Sequence, residues 1–299
     1  MIRVANAPCS WGALEFEATA QPAPASQVLD EMAAAGYAGT ELGDWGFLPS
    51  EPAALAAAVA HRGLALLAAF VPVALARQSA IDEGVERAVR TARLLVESAG
   101  ADALLVLADD NASVANRTAR AGRIRKEDGL DAPAWDAFAK RAERVAAEVR
   151  DATGLRTVFH HHCAGYIETP EEIDALMSRT DPALLGLCLD TGHLMFAGGD
   201  PITVLDAYAD RIWHVHLKDC EPALAAQSRV EDWDYHTSVR HGIFCELGRG
   251  MVPFPRVLES LRARAYGGWI VVEQDVLPGL GTPAASAARN RAYLRRLGL

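Results

Sequence analysis

The chain is expected to fold as a single α/β domain over residues 1–299, built as a (β/α)8 barrel. Three observations predict it. Eight short apolar runs recur along the chain. Longer stretches with helical periodicity separate them, which implies βαβ units and a parallel sheet. The 299 residues with 51% hydrophobic content suffice for one large core. A doubly wound open sheet is the competing architecture, and its mark, a G-x-G-x-x-G turn after the first strand, is missing.

The expected strands are 3–7, 39–42, 64–70, 103–107, 157–161, 185–190, 212–217 and 269–273. Helical periodicity fills 26–35, 83–99, 133–152, 170–178 and 254–265. Gly36 is placed to end the first helix. Thr169-Pro170-Glu171-Glu172 has a hydroxyl at the N-cap, proline at the first helical position and glutamate at the third, a capping box that fixes a helix start. Residues 109–131, with four arginines and one lysine, read as a long loop after the fourth strand, either a lid over the site or disordered.

A net charge of −10 argues against nucleic acid or an anionic membrane surface as partner. No apolar run reaches the roughly 18 residues that span a bilayer, and the first residues lack the apolar stretch of a secretory signal. Five cysteines without regular spacing suggest a reducing cytoplasm. A homo-oligomer is left open.

The chemistry lies at the strand ends. Alternate side chains of a barrel strand point inward, and barrel active sites sit at the C-terminal rim. In 157-TVFHHH-162, His160 and His162 share a face and His161 takes the other. Asp190 ends its strand on the Cys188 face, Glu273 ends the last strand on the Val271 face, and His216 shares a face with His214. Four late strands thus each present a carboxylate or imidazole to one rim. Such a set binds a divalent ion, and imidazole favours Mn, Fe, Co, Ni or Zn over Mg or Ca. Trp11, Glu41 and Trp45 cap the early strands and could wall the pocket; for the two tryptophans core packing is the alternative. Lys218, two residues past His216, falls on the same inward face beyond the strand end.

The segments "LGLCLDTGHL", "IWHVHLKD", "GWIVVEQD" and "FHHHCAGYIETPEEID" resemble the xylose-isomerase-like TIM barrel superfamily of sugar isomerases and epimerases. Within it they are most similar to the inosose dehydratase branch, which removes water from 2-keto-myo-inositol. The N-terminal "NAPCSWGALEFE" and "GTELGDWGFLP" resemble its first two strand ends, and the likeness is weakest over 109–131 and 220–245. The resemblance implies one divalent metal ion (Mn, Co, Mg or Zn, with Mn favoured) and neither nicotinamide nor flavin. It places the metal ligands at Asp190, His216 and Glu273, with His160 in a slot where many relatives carry glutamate. It sets His193 on the substrate side, and His162, Glu168 and Lys218 against the bound sugar or cyclitol. Two departures, Cys163-Ala164-Gly165 after the histidines and Arg249 between two glycines, are expected near the substrate.

The expected function is therefore a metal-dependent lyase that dehydrates a keto-cyclitol through a metal-stabilised enediolate. A ketose 3-epimerase or sugar isomerase, which shares the first step, is the first alternative; a non-catalytic sugar-binding barrel is the second. An imidazole bound to metal is a poor base, which leaves Glu273 as both ligand and base, with His193 or His162 protonating the leaving hydroxyl. Glu168 is the rival base.

Overall fold

A computed structural model describes residues 2–12, 23–276 and 281–299. Eight parallel strands close into a barrel: β1 (Arg3–Asn6), β2 (Gly39–Glu41), β3 (Ala65–Val73), β4 (Leu104–Asp109), β5 (Arg156–His160), β6 (Leu185–Asp190), β7 (Ile212–Leu217) and, last in the chain, β10 (Trp269–Val272). A short antiparallel pair, β8 (Asp219–Cys220) and β9 (Phe244–Cys245), stands apart from the barrel. The (β/α)8 expectation holds strand for strand. The largest departure is β3, which runs on to Val73 because it pairs with β4 as far as Asp109.

Strand parity separates two cores. Ala5, Val106, Val158, Cys188 and Val271 pack inside the barrel. Phe159, Leu187, Leu189, Val215, Leu217, Ile270 and Val272 point outward and are buried under the helices. Residues Val158, Cys188 and Val271 each lie two positions before His160, Asp190 and Glu273, so the polar residues end the same inward-facing rows.

Helix punctuation follows the sequence. Gly36, at φ 88°, ends helix Ala25–Ala35 in the left-handed conformation. Thr169 and Glu172 form the capping box at the start of helix Pro170–Met177. Glu172 has a second task. It receives both terminal nitrogens of the fully buried Arg117, at 2.7 and 2.6 Å, while Arg117 Nε donates to the Gly165 carbonyl at 2.9 Å. That pair ties 109–131 to the barrel, and the segment carries a short helix, Ala115–Ala119, and a 3-10 turn, Lys126–Asp128. It is packed structure, which corrects the disordered reading: a buried guanidinium is tolerated only where its donors are satisfied.

The stretch after β7 adds a satellite cluster, in which its Cys220, Tyr235, Val239 and Phe244 pack with Cys163 and Phe196 from the loops after β5 and β6. It carries Tyr235 to the rim. All five cysteines are unpaired thiols. No helix among the described residues is long and apolar enough to cross a membrane.

Candidate metal centre and active site

Four strand ends bring His160, Asp190, His216 and Glu273 together so that one ligand atom from each lies within 4.8 Å of the others. Register explains the convergence: His160 pairs across to Cys188, Asp190 to His216, and His216 to Val271, two residues before Glu273. Asp190 Oδ2 is 3.7 Å from His160 Nε2, and His216 Nδ1 is 3.2 Å from Glu273 Oε1. Asp190 Oδ1 caps the following helix by accepting from the His193 amide at 2.7 Å. Its Oδ2 is buried with no hydrogen-bond partner. A buried, unpaired carboxylate oxygen is costly, and a cation relieves that cost. Two carboxylates and two neutral imidazoles balance a divalent charge, so the residues present fit such an ion.

Electrostatics agrees. Burial opposes ionisation of Asp190, but His160 and the Lys218 charge outweigh it and hold its carboxyl well below the usual range. Burial and the neighbouring His160 push His161 down to about 3. His161 Nε2 accepts from the Asp190 amide at 3.0 Å, so its hydrogen sits on Nδ1 and the ring props the backbone behind the ligand. His161 thus lies on the face opposite His160 and His162, as the strand parity expects.

Lys218 stands over the cluster. Its Nζ lies 3.4 Å from Glu273 Oε2, 3.5 Å from Asp275 Oδ2 and 3.4 Å from His193 Nε2. Burial disfavours its charge, but Asp275, Glu273 and Asp190 together hold it as a firm ammonium. Its stem runs against Gly192, where a Cβ would come within 2.6 Å of Lys218 Cγ. That close approach is the reason for glycine in the Asp190-Thr191-Gly192-His193 turn. Because an ammonium only donates, His193 accepts with Nε2 and carries its hydrogen on Nδ1.

His162 is fixed the same way. Its Nδ1 lies 2.6 Å from the Cys163 carbonyl, an acceptor, so Nδ1 bears the hydrogen and Nε2, 3.4 Å from the Tyr235 hydroxyl, accepts. Burial and His160 keep His162 uncharged, and burial and His162 do the same for His193. At rest both nitrogens that face a donor are therefore acceptors, the reverse of what the expected acid role requires. The donors nearest them are Lys218 and Tyr235.

The rim cavity is lined by His160, His162, Lys218, Tyr235, Glu273 and Asp275, among others. Glu41 also lines it, with a carboxylate oxygen bonded to His214 Nε2 at 2.7 Å and His216 Nε2 at 3.0 Å. Other expected residues lie elsewhere. Glu168 does not line the cavity; its carboxylate accepts from the Gly122 and Ala164 amides at 2.7 and 3.0 Å, and burial pushes it up to about 7. It latches segment 109–131 to the loop after β5, and no residue of that segment lines the cavity. Trp11 is buried in the outer core, donating to Glu31 at 2.6 Å. Trp45 is 42% exposed beneath the Arg90 guanidinium. Arg249 is exposed and paired with Glu246 at 3.4 Å. Cys163 is buried, its thiol donating to the His193 carbonyl. Tyr235 and Asp275 were not singled out in the sequence. Asp275 had a signal, the alternation two residues past Glu273; Tyr235, from the stretch of weakest resemblance, had none.

A family profile described as "xylose isomerase-like TIM barrel" matches residues 29–297. The chain belongs to that family. It is 32% identical to an inosose dehydratase of Geobacillus kaustophilus over 99% of this chain and 94% of the relative. It is 34% identical to the rhizopine catabolism protein MocC of Rhizobium meliloti over 99% and 88% of the two chains. Among solved structures, L-ribulose 3-epimerase superposes with a TM-score of 0.71 at 18% identity, covering 99% of this chain and 94% of that one. The last likeness concerns the family's fold alone.

Proposed function

We propose that this enzyme is a metal-dependent hydro-lyase that removes water from a keto-cyclitol of the inosose type. The observation that carries the reading is the asymmetry of the ligand set. Of its two carboxylates, only Glu273 lines the cavity, while the fifth-strand position is an imidazole, His160. The full-length relatives named inosose dehydratase support it further.

His160, Asp190, His216 and Glu273 would hold the ion, with manganese favoured. When bound, the ion supplies a Lewis acid for a carbonyl and an adjacent hydroxyl of a polyhydroxylated substrate. Glu273 takes the proton from the carbon next to the carbonyl. Lys218, held 3.4 Å from Glu273, faces the negative charge that then develops on oxygen. The C–H electron pair becomes the new double bond as the β-hydroxyl departs with a proton, leaving as water. With His162 and His193 both set as acceptors, that proton comes from Lys218 or Tyr235, or from an imidazole once it has been charged by Glu273's proton. An epimerase would return the proton to the opposite face, which calls for a second carboxylate across the substrate. Glu168, the rival base, has both oxygens occupied by backbone amides.

The test incubates metal-loaded protein with 2-keto-myo-inositol and, in parallel, simple ketoses. Loss of one water by mass with a new enone absorbance is expected from the cyclitol only. Ketose interconversion without water loss would replace this reading with the epimerase one.

A further inference from the structure

Glu41 ends β2, which β1 and β10 separate from β7, yet its carboxylate meets two residues of β7. One oxygen, Oε1, meets both His214 Nε2 at 2.7 Å and His216 Nε2 at 3.0 Å. All three residues are buried. A carboxylate only accepts, so each Nε2 carries a hydrogen. With an ion bound His216 would be the neutral ring, and the hydrogen on Nε2 then leaves the Nδ1 lone pair for the ion. That lone pair faces Glu273 Oε1 at 3.2 Å, and Nδ1 makes no hydrogen bond.

We propose that Glu41 is a positioning residue of the metal centre: it fixes the tautomer and rotation of His216 so that Nδ1 is presented to the ion, while His214 anchors the same oxygen. The proposal rests on the metal reading above and reassigns Glu41 from substrate contact to support of a ligand. Metal-bound imidazoles generally donate their second N–H to a carboxylate or carbonyl, which raises ligand basicity and limits rotation. The other reading of the trio, a second ion held by Glu41, His214 and His216, fits less well. Its distances are those of hydrogen-bonded pairs, and His216 would have to bridge two cations through both nitrogens.

The test uses metal-free full-length protein titrated with Co2+, read by visible absorption and by competition with a chelator. Wild type should bind one equivalent. Glu41→Ala should weaken affinity about 10- to 100-fold and shift the Co2+ spectrum, because the His216 ring is released. Glu41→Gln keeps an acceptor oxygen without the charge. It should keep the wild-type spectrum and lose only about three- to tenfold in affinity, and it carries the test alone if the alanine variant does not fold. Wild-type affinity in either variant overturns the proposal, as does a second equivalent in wild type that Glu41→Ala removes. A substrate role would instead raise KM with Co2+ binding unchanged. If wild type binds no Co2+, the metal reading fails and this one with it; if only the variants behave like wild type, this one alone fails.

Discussion

Asp109 and Asp190 end β4 and β6 at the same rim of the same barrel, both buried. Their surroundings differ. Asp109 accepts from the Leu75 amide with one oxygen, at 3.1 Å, and from the Tyr166 amide with the other, at 3.0 Å. Asp190 spends one oxygen on the His193 amide and keeps the other without a partner. Burial is the main influence on Asp109 and pushes it up to about 6, against the backbone amides of Tyr166, Leu75 and Asp110. Asp190 is held far below its ordinary value by His160 and Lys218 despite burial. A strand-end acid satisfied by backbone is scaffold; one left unsatisfied beside imidazoles is set for a ligand. The ligand cluster gathers on the late half of the rim, and Glu41 of β2 reaches it from the early half.

The sharpest way to break that contrast is to remove each acid. Asp190→Ala should abolish metal retention and lower turnover by at least about a thousandfold. Asp109→Asn should keep one metal ion per chain and lose about 1–3 kcal/mol of stability, since one amide N–H loses its acceptor. Full metal occupancy by elemental analysis in Asp190→Ala would erase the distinction.

Next in size is the base. Solvent deuterium exchange at the substrate α-carbon should fall by about 10²–10⁴-fold in Glu273→Gln and stay near the native rate in Glu168→Gln. The opposite ranking would move the base to Glu168 and undo the reading of that residue as a latch. Lys218→Met should keep the metal and lower kcat by about 10²–10³-fold. Unchanged turnover would leave Lys218 a rim charge pairing Glu273 and Asp275.

The smallest effect concerns stability. The folded-state carboxyl of Glu168 is raised from an ordinary 4.5 to about 7 by burial. The folded protein therefore holds that proton where the unfolded chain has lost it, and the associated stability, full below about pH 4.5, fades as pH rises to about 7. Metal-free wild type should lose on the order of 2 kcal/mol more than Glu168→Gln between pH 5 and pH 8. Chemical denaturation at both pH values measures the difference, and parallel behaviour of the two proteins would sink the assignment.

By itself the sequence determined the barrel and the convergence of four polar strand ends, for one reason. Strand and helix periods are local, and period-two alternation carries a side chain's direction to the last residue of a strand. Hence His160, Asp190, His216 and Glu273 could be set on one rim, and His161 could be set on the opposite face from its neighbours. The capping box at Thr169 and the stop at Gly36 were legible on the same local grounds. Only the tertiary structure decided what each of these atoms meets. Glu41 reaches His214 and His216 across 173 and 175 residues of chain, and no spacing rule encodes a contact across a barrel's interior. Glu168 was drawn away from the cavity by two backbone amides, one from segment 109–131. Segment 109–131 was packed by the buried Arg117–Glu172 pair, which its arginine content could not reveal. Tyr235 reached the rim on an excursion seated against Phe196 and Phe244. Hydrogen-bond partners, tautomers and the one unpaired oxygen of Asp190 arise from residues far apart in sequence, so they exist only once the barrel has closed.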